Sequence, residues 1–147
     1  MSSKFNSTID KIVIKANENM LGVVKNAIRN VVIEAQTPVA KGGKMRVDTG
    51  FLRWSGTASL DGMPYGEVRG RKRLPGEEGV LVDYKYDENN GGRVLNDVLM
   101  RLKFGDTFHF GWTANYAKYR EAYDGFLVSA IANFQTYIDK EARRLKK

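Results

Sequence analysis

One histidine, His109, and no cysteine are present among the 147 residues. Thiolate nucleophiles, disulfides and cysteine-held metals are thereby excluded. A lone histidine needs several carboxylates beside it before it can hold zinc, and a Ser/His/Asp triad would have to run through that same residue. His109 lies between Phe108 and Phe110, on the opposite face of an alternating segment, so it reads as a sheet-surface histidine. No Gly-x-Ser-x-Gly elbow occurs. Gly42-Gly43-Lys44 resembles the end of a phosphate loop, yet Met45 stands where Ser or Thr is required and the leading glycine is missing. Asp48, Asp61, Asp83, Asp87, Glu88 and Asp106 fall in loops or at strand ends, where turn chemistry accounts for them. The expectation is a protein that is not an enzyme and carries no cofactor or metal.

Binding chemistry is better represented. Arg69, Arg71, Lys72 and Arg73 form the densest basic cluster, and Lys41, Lys44 and Arg46 a second, looser one. A basic hairpin tip suits nucleic acid or an acidic partner surface. A solvated loop partly neutralised by Glu77 and Glu78 is the preferred reading of the first cluster. Stacking aromatics are not interleaved with it, which argues against a single-strand platform. Tyr116, Tyr119 and Tyr123 recur at steps of three and four. They suit an interface anchor and an extension of a helix core stripe equally well.

These residues must be positioned by a fold that one apolar core can support. The net charge is +7, with 5 basic and 3 acidic residues over 1–40, 9 and 8 over 41–90, and 10 and 6 over 91–147. A dedicated DNA binder concentrates its charge on one face; this excess is spread. No apolar run approaches the ~20 residues of a membrane span, and the polar stretch Met1 to Asn6 does not read as a secretory leader.

Ile9, Ile12, Val13, Ala16, Met20, Val23, Val24, Ala27, Ile28, Val31 and Ala35 make one apolar stripe. This predicts a helix over 9–35, capped by Ser7 or Thr8 and ended by Pro38. A flexible, basic, glycine-containing loop follows near 38–47. Leu52, Trp54, Ala58 and Leu60 then alternate with Arg53, Ser55, Thr57 and Ser59, which predicts a half-buried strand. Asp61 to Pro64 reads as a turn. Tyr65 to Gly70 and Gly79 to Tyr84 read as further strands around a flexible tip near 70–79, followed by a polar break over 87–92.

Val94, Leu95, Val98, Leu99 and Leu102 predict a short middle helix. Gly105-Asp106 then turns into a strand over Thr107 to Trp112. A last helix starts between Asn115 and Asp124 and continues nearly to the end, with Phe126, Leu127, Ala130, Ile131, Phe134, Tyr137, Ile138 and Leu145 as its stripe. The sum is a single α+β domain over 1–147. Long N-terminal and C-terminal helices pack on a small antiparallel sheet, with one short middle helix.

The segment Val47-Asp48-Thr49-Gly50-Phe51-Leu52-Arg53-Trp54-Ser55 resembles the V-D-T-G-x-L-R-x-S signature of the minor tail components of long-tailed bacteriophages. These neck or tail-completion proteins are the family in which gpZ of phage lambda is grouped. Tyr116-Ala117 followed by Glu121 resembles the family's Y-A-x-x-x-E, and the order of elements is similar from about Ile9 to Leu145. Two departures stand out. Pro38 is separated from the signature by a Gly/Lys-rich insertion, where the family often has proline directly before it. Gly125 follows Glu121 by four residues, where the family often has a spacing of two.

Read physically, Asp48 suits an Asx-turn and Gly50 a positive φ, turning the chain into a strand at Leu52 with Arg53 and Ser55 on its polar face. The motif is thus first a folding device. The resemblance implies a virion part at the head–tail junction, assembled in the host cytoplasm and needed to join heads to tails. It also implies a closed ring of copies, sixfold like the tail, between tail terminator or tail tube protein and head-closure or adaptor proteins. Lys41, Lys44, Arg46, Arg69, Arg71, Lys72, Arg73, Tyr119 and Tyr123 are the candidate partner-facing or DNA-facing residues, the basic ones suiting non-specific contact with DNA passing through a lumen. A tail terminator, a head-closure protein and a basic nucleic-acid-binding module are the alternatives.

Overall fold

The computed structural model describes residues 2–48, 50–62 and 95–145, with first-helix side chains given at Lys11 and from Asn17 onward. Among these residues the chain is α+β, with six α-helices and one two-stranded antiparallel sheet. Helix α1 (Ser2–Ala35) leads to a 3₁₀ turn (Val39–Lys41), the single-turn helix α2 (Phe51–Trp54) and strand β1 (Gly56–Ser59). Helix α3 (Leu95–Arg101) and strand β2 (His109–Trp112) follow, and then helices α4 (Ala117–Asp124), α5 (Phe126–Ala132) and α6 (Phe134–Leu145). No helix among the described residues is long and apolar enough to cross a membrane.

Helix α1 spans about 51 Å at the standard rise. Its many β-branched residues give it modest intrinsic propensity, so packing against α5 and α6 and the core must hold it. It starts at Ser2, so Ser7 and Thr8 lie inside the helix rather than at its start. It ends at Ala35, ahead of Pro38 as proline requires.

Two apolar clusters form the core. In the first, Val32, Ala58, Leu95, Val98, Leu99 and Leu102 are buried, with Ile28, Phe108 and Phe110 against them. In the second, Met45, Phe51, Leu52, Ala114 and Phe126 are buried, with Trp54, Trp112, Tyr116, Ala117 and Leu127 against them. Trp112 links the two: its ring meets Phe110 edge-on at 5.2 Å and Phe126 edge-on at 5.0 Å. The strands pair with Gly56 opposite Trp112 and Ser59 opposite His109.

Three expectations need correction. The strand expected from Leu52 begins at Gly56, because Phe51 to Trp54 form a helical turn. Phe51 and Leu52 are both buried, and consecutive residues of a strand would point to opposite faces. Strand β2 begins at His109 rather than Thr107. The last helix is three helices: Gly125 takes a left-handed φ of 65° between α4 and α5, and Asn133 interrupts the chain between α5 and α6. The loop near 38–47, expected to be flexible, contains a hydrogen-bonded turn, and its Met45 enters the core. The expected strands at 65–70 and 79–84, the tip near 70–79 and the break at 87–92 lie outside the described residues.

Candidate assembly interface

Gly50 to Ser55, the second part of the motif, serve the fold. Gly50 has φ 88°, a conformation that side chains with a Cβ rarely adopt, and it leads directly into α2. Phe51 stacks on Trp54 at 5.9 Å and meets the Tyr116 ring at 6.1 Å. Arg53 was expected on a polar strand face; instead its Nε donates to the Gln36 carbonyl oxygen at 2.8 Å. That carbonyl lies just past the end of α1, where acceptors lack helical partners and a cation is favoured.

Ser55 was likewise expected to face solvent and is fully buried. Its hydroxyl donates to the Leu52 carbonyl at 2.8 Å, and its own carbonyl accepts from the Thr113 N–H at 3.2 Å. One residue thus closes α2 and ties it to the end of β2. Val47 is half-buried and Asp48 exposed. Thr49 lies outside the described residues.

The second motif is equally structural. Tyr116 precedes α4 and packs with Ala117 into the cluster that holds Phe51 and Leu52. Glu121 caps α5 across the Gly125 turn: its Oε2 accepts from the Leu127 N–H at 2.8 Å and its Oε1 from the Val128 N–H at 2.9 Å. A carboxylate there satisfies donors left open by the helix start and suits the helix dipole. The tyrosines divide. Tyr116 belongs to the core, while Tyr119 is 60% and Tyr123 84% exposed, one turn apart on α4.

Lys41, Lys44 and Arg46 are all exposed on the turn after α1. The turn is closed by Val39 N–H to Met45 O at 3.0 Å and Gly43 N–H to Pro38 O at 2.9 Å. A Cβ at Gly43 would stand 1.9 Å from the Thr37 carbonyl oxygen, so only glycine fits. Beside the turn, Pro38, Val39, Ala40, Arg46, Val47 and Asp48 line an open cleft of about 280 Å³. Arg69, Arg71, Lys72 and Arg73 lie outside the described residues. His109 is half-buried in the strand pair. No group of three metal-ligating residues occurs among the described residues.

Three features escaped the sequence reading. Gln36 is fully buried, and its Oε1 accepts from the Trp112 indole N–H at 3.2 Å. Gly56 makes room for that bond: a Cβ there would lie 2.5 Å from the same oxygen. A glycine inside a strand pattern is a recognised sign of such close approach. The third is a polar seam between α1 and α6, where Asn26 and Asn30 donate to Glu141 and Asn133 donates to Glu34. The steps of four from Asn26 to Asn30 to Glu34 carry that signal in the sequence. Within this seam the Tyr137 hydroxyl is pushed above its ordinary pKa of 10.0, first by burial and then by the Glu34 carboxylate.

No family model, curated protein or solved structure matches the chain.

Proposed function

We propose that this is a structural virion protein of a long-tailed bacteriophage, a tail-completion or neck component at the head–tail junction that joins heads to tails. The observation that carries the reading is the meeting of the two motif segments: Phe51 and Leu52 share one core with Tyr116 and Ala117, more than sixty residues away. Arg53, Ser55 and Glu121 of the two motifs serve backbone acceptors and donors, a pattern suited to assembly rather than turnover. On this reading the protein is assembled in the host cytoplasm into a closed, sixfold ring. Its neighbours are the tail terminator or tube protein on one side and head-closure or adaptor proteins on the other. The exposed tyrosines of α4 and the turn at 38–48 offer the contact surfaces. Deleting the protein is expected to leave filled heads and finished tails unjoined in electron micrographs of lysates; normal infectivity would refute the assignment. A terminator or head-closure position in the same region is distinguished by locating the subunit in a map of the particle.

A basic nucleic-acid module is the competing reading, favoured by three exposed cations on one turn. It requires duplex affinity that falls steeply with salt and weakens in the combined Lys41→Ala, Lys44→Ala, Arg46→Ala variant. Absence of filter retention at low salt refutes it.

A further inference from the structure

Helix α6 is held differently from the rest of the fold. Glu141 is its only buried residue among those described. Asn26 and Asn30 donate to that carboxylate at 3.4 and 3.3 Å, near the outer limit for such bonds. Arg144 pairs with it at 3.3 Å from a largely exposed position. Desolvation offsets much of the attraction in a buried ion pair, so such a pair is a weak source of stability. Across to α1, Glu141 accepts from Asn26 and Asn30, Tyr137 lies beside Glu34, and Asn133, just ahead of the helix, donates to Glu34, while Ile138 and Ala142 are half-buried. At 3.6 residues per turn, Phe134, Ile138 and Leu145 lie roughly a quarter-turn away around the axis. Phe134 is 37% and Leu145 54% exposed.

The preceding helix is the opposite case. Phe126 and Ala130 anchor α5 in the core. Between the two helices stands Asn133, at φ −94° and ψ 2°, outside regular helical geometry.

From this contrast we infer that α6 undocks from α1 as one unit, hinged at Asn133, while α5 and the two core clusters stay folded. The hydrogen bonds across this seam join polar groups that water can satisfy when the helices part, and no apolar side chain of α6 is fully buried. This sets α6 apart from the apolar core elements, whose separation would expose hydrocarbon.

Hydrogen–deuterium exchange on the full chain, resolved by residue and repeated in low urea, tests the inference. The amides of residues 138–145 should share one level of protection. That level should be about tenfold or more below that of Ala27 to Ala35 and depend less on urea, as a sub-global opening does. Protection and urea dependence equal to those of α1 would overturn the inference. So would a gradient declining smoothly toward Leu145, which is end fraying. Because the chain has no cysteine, an Asn30→Cys and Glu141→Cys pair can be joined by a short thiol-reactive crosslinker. Joining should raise α6 protection relative to α1, and an unchanged ratio would overturn the inference. If that pair does not fold, the wild-type exchange pattern decides alone.

Discussion

Adding a single methyl group at Gly56 should be among the most damaging small changes to this fold. An alanine Cβ would lie 2.5 Å from Gln36 Oε1, 3.0 Å from Phe110 Cζ and 3.1 Å from Trp112 Nε1. Two of these atoms are the partners of the buried Gln36–Trp112 hydrogen bond, 3.2 Å long. The side chains cannot retreat easily: Gln36 is fully buried, and Trp112 is wedged edge-on between Phe110 and Phe126. Overpacking typically costs about 1–3 kcal/mol, and an unsatisfied buried polar group about another 1–3. Removing a strand glycine returns only ~0.5–1 kcal/mol. Gly56→Ala is therefore expected to destabilise by about 2–4 kcal/mol, lowering the urea midpoint by roughly 1–2 M at an ordinary slope of about 2 kcal/mol/M.

Tryptophan fluorescence reports the transition directly, since Trp54 and Trp112 both pack on the second cluster. The decisive control is a double-mutant cycle. Gln36→Ala removes the nearest obstacle, so the double variant should lose less stability than the two singles together. An unchanged midpoint for Gly56→Ala, or strict additivity in the cycle, would refute the close-approach argument.

Replacing Glu121 by alanine should cost about 1 kcal/mol, the usual loss for a helix cap, and should speed amide exchange at Leu127 and Val128 before other sites of α5. Alkaline pH should weaken the α1–α6 seam. The folded-state pKa of Tyr137 is raised, so its contribution is complete below the ordinary value of 10.0 and is lost as pH rises through the folded value. Tyr137→Phe should remove that part of the alkaline decline, and an identical alkaline profile in the variant would exclude Tyr137 as its source. Tyr119→Ala with Tyr123→Ala should leave the thermal midpoint nearly unchanged, within about 0.5 kcal/mol in stability as for exposed sites generally. On the proposed neck role, the same pair should reduce complementation of a phage lacking the protein.

The elements with sustained periodicity were legible from residue order alone. The stripe from Ile9 to Ala35, the middle helix and the Phe108–Phe110–Trp112 strand face all rest on repeats long enough to separate a period of 3.6 from a period of two. A four-residue helix has no measurable period, so Leu52 and Trp54 merged with the alternation of the strand beyond them. The adjacent pair Phe51-Leu52 was the warning, since a strand cannot bury both on one face. Gly125 is a residue type that breaks helices, yet the expected last helix runs through it; Asn133 sits inside an unbroken apolar stripe and only packing reveals it. For the motif, residue types could suggest a turn but could not show that Arg53 reaches the end of α1 or that Ser55 joins β2. Those partners are 17 and 58 positions away.

The turn after α1 leaves and rejoins the core at neighbouring points. Thr37 accepts from Met45, and Met45 accepts from Val39, so residues 40–44 form a turn over a closed base, with Gly43 packed against Thr37. Closing a longer excursion over such a base adds only about 0.6 kcal/mol per doubling of length. The turn therefore behaves as a cassette: its exposed positions can be recharged or extended at small cost, while Gly43 and the frame that carries Gly50 to Ser55 stay fixed. A partner that reads Lys41, Lys44 and Arg46 would be reading exposed positions, and changes of partner need not disturb the fold.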